Sequence, residues 1–241
     1  MKGLALREPF LSTAQTAMLL GTSLATVKRQ AETGAIEAVG KKGRSWRFRP
    51  GGIVQHLRAL DGREAAPFAA ALRAGRLHEC VAQLIEARMQ GKTLEELLDE
   101  VVLPAVDAAT PLAFVDRLQP LAEPWEQPRQ RQKIRTAVLL DDGRVRARMA
   151  TCLLRARAFT VLVPALDHAA GEVVAIVKRA APSVVWMDAG DGRLGILDEL
   201  KEAIGASEVA IVAHGAAVAL APPLLQVGSM RELGRLLDRK S

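Results

Sequence analysis

Two short runs carry the residue types that could do chemistry. Ser23, Thr26, Lys28 and Arg29 lie within seven positions, and Lys41, Lys42, Arg44 and Arg47 within another seven. Cations at this density neutralise phosphates, while hydroxyl, ammonium and guanidinium groups can hydrogen-bond base edges. The chemistry on offer is recognition. A third set, Asp142, Arg144 and Asp188, stands after apolar runs and is a candidate ligand or phosphoryl-acceptor site. Groups suited to turnover are scarce. His56, His78, His168 and His214 have no mutual ligand spacing, and Cys80 and Cys152 sit in apolar helical settings without metal-ligand spacing. No Ser/His/Asp, Cys/His or paired-carboxylate set can be written with residues in roles. The expectation is a protein that is not an enzyme and carries no metal.

The elements that must position these residues follow from local pattern. Leu11–Leu20 reads as a capped helix, Gly21 as a tight turn, and a second helix starts at Ser23 and carries Thr26, Lys28 and Arg29. Ala38–Arg49 reads as a hairpin with a Gly43 turn. Along it Trp46 and Phe48 alternate with Arg47 and Arg49, so one face packs inward and Trp46 belongs to the core. A helix over Ile53–Arg58 closes this part. Helix, turn, helix and basic hairpin is an arrangement that lets the second helix enter a major groove while the hairpin touches flanking backbone.

Charge follows the same boundary. Residues 1–60 hold ten Lys/Arg against three acids, a net +7 in a chain whose total is +6, so the remainder stands near −1. An excess confined to one segment is the footprint of phosphate neutralisation. The partner expected is therefore double-stranded DNA. A homodimer or a regulatory protein partner is expected as well, because small readers gain affinity on paired half-sites. No apolar run reaches the roughly 18 residues needed to cross a bilayer, and the first residues lack a signal peptide's apolar core. A cytoplasmic protein with no membrane partner is expected.

The rest of the chain divides further. Residues 1–62 form the first domain, 63–128 a helical segment and linker, and 129–241 the last domain. Leu72, Leu77, Val81, Leu84 and Ile85 recur at helical spacing, as do Leu94, Leu97, Leu98, Val101 and Val102. Gly91 ends the first of these helices, and Thr93 with Glu96 makes a capping box for the second. Residues 110–128, with Pro111, Pro120, Pro124 and Pro128, read as irregular, and 129–135 as a basic tether. From Ala137 onward fully apolar runs alternate with helices. Strands are expected at 137–140, 159–163, 183–187, 209–213 and 224–227, with helices at 149–157, 173–180, 194–204 and 230–238. That alternation predicts an α/β domain with a doubly wound parallel sheet of flavodoxin-like order, alongside an all-α segment and the helix-turn-helix.

Leu11-Ser12-Thr13-Ala14-Gln15-Thr16-Ala17, Leu20-Gly21-Thr22-Ser23 and Gly40-Lys41-Lys42-Gly43-Arg44-Ser45-Trp46-Arg47-Phe48 resemble the winged helix of phage excisionases and MerR-type regulators over about fifty residues. Phe68–Gly75, Leu94–Val106 and the ending Val227–Leu233 resemble the helical and Rossmann-like domains that follow such a winged helix in cobalamin-binding regulators. The resemblance implies a transcription regulator. It departs at the ligand, however. That family's Asp-x-His-x-x-Gly supplies the histidine that ligates cobalt, whereas this chain has Asp142-Gly143-Arg144-Val145-Arg146-Ala147. Arginine has no free lone pair to give a metal, so no cobalamin is expected. Asp141, Asp142 and Asp188 are also spaced like the acidic residues of response-regulator receivers. Yet Ala213-His214 replaces their Ser or Thr, and Gln226-Val227-Gly228 their lysine. The reading is a sequence-specific DNA-binding regulator whose α/β domain senses a signal or mediates protein association. The alternatives are a receiver-like adaptor and an excisionase-like architectural factor.

Overall fold

Ser12 starts the first helix. Its hydroxyl accepts the Gln15 N–H at 3.2 Å while the Gln15 side chain accepts the Ser12 N–H at 2.8 Å, a reciprocal cap. The computed structural model describes residues 10–43, 45–62, 66–106, 113–122, 135–140, 145–164, 169–188, 196–204, 210–214, 224–227 and 229–239. Two compact units result, Met1–Leu97 with Ala105–Gln130, and Leu98–Pro104 with Arg131–Ser241.

In the first unit, β1 (Leu11–Ser12) leads into α1 (Thr13–Leu20), followed by α2 (Leu24–Glu32), β2 (Ala38–Lys42), β3 (Ser45–Phe48) and α3 (Pro50–Asp61). The three strands form one antiparallel sheet in the order β1-β3-β2. Gly21 ends α1 at φ +64, the left-handed position that glycine enters without a Cβ penalty. Leu11, Leu19, Val27, Phe48, Ile53 and Leu57 have no exposed surface and form the core beneath these elements. Leu11 and Ser12, read from sequence as part of the helix, instead pair with Phe48 and Arg47 of β3.

Four helices follow: α4 (Phe68–Arg73), α5 (Leu77–Met89), α6 (Leu94–Leu97) and, after a π-helical turn at Leu98–Val102, α7 (Leu103–Ala105). The expected capping box is present, with Thr93 N–H donating to Glu96 at 2.8 Å and Glu96 N–H to Thr93 at 3.2 Å. The π-turn replaces the continuous helix that the apolar spacing suggested. Pro104 cannot donate to the carbonyl four residues back, and the wider turn accommodates that break. The stretch read as irregular holds two single turns, α8 (Ala113–Asp116) and α9 (Gln119–Ala122), with Phe114, Val115, Leu118 and Leu121 fully buried. Burial of those four apolar side chains organises a segment whose prolines argued against structure.

α3 is fixed to α5 by a polar network. Arg58 donates to both Glu86 oxygens at 2.8 and 2.9 Å and to Glu79 at 3.3 Å. Gln83 donates to Glu79 at 2.8 Å and to the Ala66 carbonyl at 2.7 Å. Asp61 accepts the Glu79 N–H at 3.0 Å and pairs with His78 at 2.7 Å. Glu79 is 2% exposed, so these partners are what permit a carboxylate there. Burial would raise the Asp61 carboxyl, but the Glu79 N–H and His78 outweigh it and hold the group below its usual 3.8. Burial pushes the His56 ring below its usual 6.5 against the opposing hydrogen bond that the ring donates to the Ala35 backbone.

Both folded-state values thus lie below the unfolded ones, so the unfolded chain binds the extra protons as pH falls. Each group's stabilisation is complete above its unfolded value and is lost on acidification. Melting temperature should therefore fall as pH drops from about 7 towards 5 through the His56 contribution, and fall further below the 3.8 reference of Asp61. A His56→Gln chain should lose the first decline and keep the second. An unchanged first decline in that variant would remove His56 from the account.

The second unit is a five-stranded sheet: β4 (Arg135–Leu140), β5 (Phe159–Leu162), β6 (Val184–Asp188), β7 (Ala210–His214) and β8 (Leu224–Val227). All four pairings are parallel and the order is β5-β4-β6-β7-β8, the flavodoxin-like order expected. Between the strands run α10 (Val145–Ala156), α11 (Ala170–Ala180) and α12 (Ile196–Ile204), with α13 (Met230–Arg239) last. Val138, Leu140, Val185 and Met187 meet Val173, Val177 and Leu200 in one apolar cluster. Asp99 of the π-turn accepts the N–H groups of Met230 and Arg231 at 2.8 and 2.9 Å, which caps α13. Among the described residues no helix is long and apolar enough to cross a membrane.

Candidate nucleic-acid interface

The N-terminus of α2 is built by two hydroxyls. Ser23 Oγ accepts the Thr26 N–H at 3.1 Å and lies 2.9 Å from Thr26 Oγ1. At the other end the Thr33 hydroxyl donates to the Arg29 carbonyl at 3.0 Å. With 3.6 residues per turn, the exposed positions Leu24, Lys28, Glu32, Ala25 and Arg29 fall on one contiguous arc of roughly 140°. Val27, on the opposite side, has no exposed surface. Thr26 is half-buried on the flank of that arc, its hydroxyl already engaged with Ser23. Of the residues singled out in this run, Lys28 and Arg29 stand on the outward face, whereas Ser23 and Thr26 form the cap that aims it.

The hairpin is tied to α1 at its root. Thr13 Oγ1 accepts the Trp46 N–H at 3.0 Å and donates to the Trp46 carbonyl at 3.3 Å. Lys42 pairs with Ser45 across the tip, and Gly43 has φ +62, as tight hairpin turns require. Lys41 stands opposite Trp46 in the same register, and a shift between Ala38 and Gly40 then bulges β2 so that Ala38 opposes Phe48. The Lys41 ammonium lies 4.1 Å from the centre of the Trp46 ring, and the Arg47 guanidinium 5.5 Å from that of Phe10. Trp46, expected in the core, is half-buried with a cation over its ring; Phe48 takes the core position. Phe48 stands between Leu11 of β1 and Ala38 of β2 at the centre of the sheet, whereas Trp46 lies nearer the tip, opposite Lys41 alone. Arg44 lies outside the described residues.

In the second unit, Asp188 ends β6 and pairs in register with His214 at the end of β7. The switch point of this strand order lies between β4 and β6, where ligands of such sheets bind. Asp142 and Arg144 lie outside the described residues. The residues there do not suit cobalamin bound through a histidine: the 142–147 run contains none. Ala147 is fully buried in the first turn of α10, where its methyl occupies space that glycine would leave open. Both cysteines are buried and neither is in a disulfide. Burial, with Asp61 and Glu79 nearby, pushes the Cys80 thiol up to about 12, so it is inert as a nucleophile at neutral pH. Among the described residues no group of three or more His, Cys, Asp or Glu could hold a metal.

Sequence reasoning missed two features of the first unit. The Arg58 network was signalled only by Glu79, Gln83 and Glu86 recurring at i, i+4 and i+7 on one face of α5. The exposed apolar pair Leu24 and Ala25 carried no sequence signal, because apolar residues opening a helix read equally well as core.

Two helices joined by a tight turn and followed by a basic hairpin define a winged helix-turn-helix. Residues 10–60 match the helix-turn-helix domain family, which spans every element from β1 to α3. A search of the curated proteins finds no match. Among solved structures, the chain is similar to the methanol:cobalamin methyltransferase complex of Methanosarcina barkeri, at 16% identity and a TM-score of 0.38, covering 90% of this chain and 92% of that one. It is also similar to a cobalamin-binding protein of Desulfitobacterium hafniense DCB-2, at 14% identity and a TM-score of 0.42, covering 95% and 98%.

Proposed function

We propose that this chain is a cytoplasmic, sequence-specific DNA-binding transcription regulator. In this reading α2 lies in a major groove, with Lys28 and Arg29 reaching base edges and phosphates, while Lys41, Lys42, Arg44 and Arg47 of the hairpin hold the flanking backbone. The observation that carries it is the contiguous exposed face of α2 bearing Lys28 and Arg29, within a segment of net +7. The chain binds as a homodimer on paired half-sites, or with a protein partner, because a single helix of this size reads few base pairs. The parallel α/β unit senses a signal or docks a protein, with the Asp142, Arg144 and Asp188 region as its candidate site and without cobalamin. Turnover is not part of this role.

Salt dependence of binding to duplex DNA tests the electrostatic half directly. Neutralising four or five phosphates per protomer gives a log–log slope of about −4 for each protomer bound. A slope near zero would mean that the hairpin and α2 cations touch no phosphate, and would overturn the proposal.

A further inference from the structure

The outward face of α2 is not uniformly polar. Its first turn presents Leu24, 51% exposed, with the exposed Ala25 beside it. Burial within this unit explains neither, since Val27 is the residue of α2 that enters the core. The hydroxyls of that turn are occupied with each other and with the Thr26 N–H. The N-terminal turn of the helix, the part that reaches base edges in helix-turn-helix complexes, therefore offers methyl and methylene groups. Lys28 follows one turn after Leu24 and Arg29 one turn after Ala25 on the same arc. Cations so placed favour nucleic acid over an apolar protein surface as the occupant. In the major groove one base presents an apolar group, the thymine with its 5-methyl, and guanine presents the acceptor pair suited to Lys or Arg.

We propose that Leu24 and Ala25 form an apolar seat for the 5-methyl group of a thymine, beside a guanine read from the same helix face. The inference rests on the DNA-binding reading and adds to it a feature of the target: each half-site contains a thymine required for its methyl group. Ser23 and Thr26 are positioning residues that set the angle of the seat.

The test begins with selection of bound sequences from random duplexes by the full-length chain. Each thymine of the selected site is then replaced in turn by deoxyuridine, which removes the methyl and keeps every hydrogen bond. Binding by the unsubstituted chain should weaken about fourfold at one thymine per half-site, the worth of one buried methyl group. The Leu24→Ala chain should bind the thymine and deoxyuridine sites equally, and Leu24→Met should restore the difference. Leu24 is exposed, so an unchanged melting temperature should accompany both substitutions. Indifference of the unsubstituted chain to deoxyuridine at every position, or full sensitivity retained by Leu24→Ala, overturns this inference while leaving the DNA-binding reading intact. Failure to enrich any sequence overturns both.

Discussion

Exchanging Lys28 and Arg29 for glutamate should lower affinity for the selected DNA site by about 100-fold or more, since each base or phosphate contact of this kind is worth about 1–3 kcal/mol. Both side chains are exposed, so the fold itself should change little. The new carboxylate at 28 would face Glu32 one turn on, a like-charge pair costing about 0.2–0.5 kcal/mol. Arg29 sits in the last turn of α2, where a cation favours the helix dipole by a similar amount. The control is Lys178→Glu with Arg179→Glu, an identical change in net charge on the exposed last turn of α11. If α2 is the reading element, the control chain should bind within a few-fold of the unaltered one. Equal losses in the two chains would show that bulk charge drives association and that α2 reads nothing.

Trp186→Ala should produce the largest loss of stability of any single substitution in the second unit, about 3–5 kcal/mol. Trp186 is fully buried at the middle of β6, in register with Leu139 of β4 on one side and Val212 of β7 on the other. Truncation there removes the largest fully buried side chain of the described residues and leaves a cavity between sheet and helices that backbone hydrogen bonding prevents from closing. Against a typical domain stability of about 5–15 kcal/mol the change is severe. Denaturant unfolding and amide exchange in β4, β6 and β7 measure it, with exchange rising about 100-fold or more. A loss under about 1 kcal/mol would mean that the sheet is not packed around this indole.

What was legible in the sequence is what local chemistry decides. Ser23, Thr93 and Glu96 announce their helices because a cap is a contact within three residues. The five strands were legible because each is a short apolar run between helical stretches, a pattern that parallel sheets impose by burying both faces. The short turns α8 and α9 were hidden, since their burial comes from other parts of the unit while Pro111 and Pro120 argue locally for a loop. Arg58 was hidden for the same reason: Glu79 and Glu86 stand 21 and 28 residues away in sequence. Within the candidate interface the sequence placed Lys28 and Arg29 on the second helix and Lys41, Lys42 and Arg47 on the hairpin strands, where the structure has them. It could not separate Thr26, folded back onto Ser23, from the outward Leu24, because that distinction lies in side-chain direction rather than residue type.

Genome-wide occupancy of the tagged chain in its own cell, compared with the Lys28→Glu/Arg29→Glu chain, shows whether α2 reads DNA sequence. A sequence-specific regulator should give a few sharp promoter-proximal peaks that share one sequence motif and are lost in the variant. Diffuse occupancy, or peaks unchanged by the substitutions, would contradict that reading.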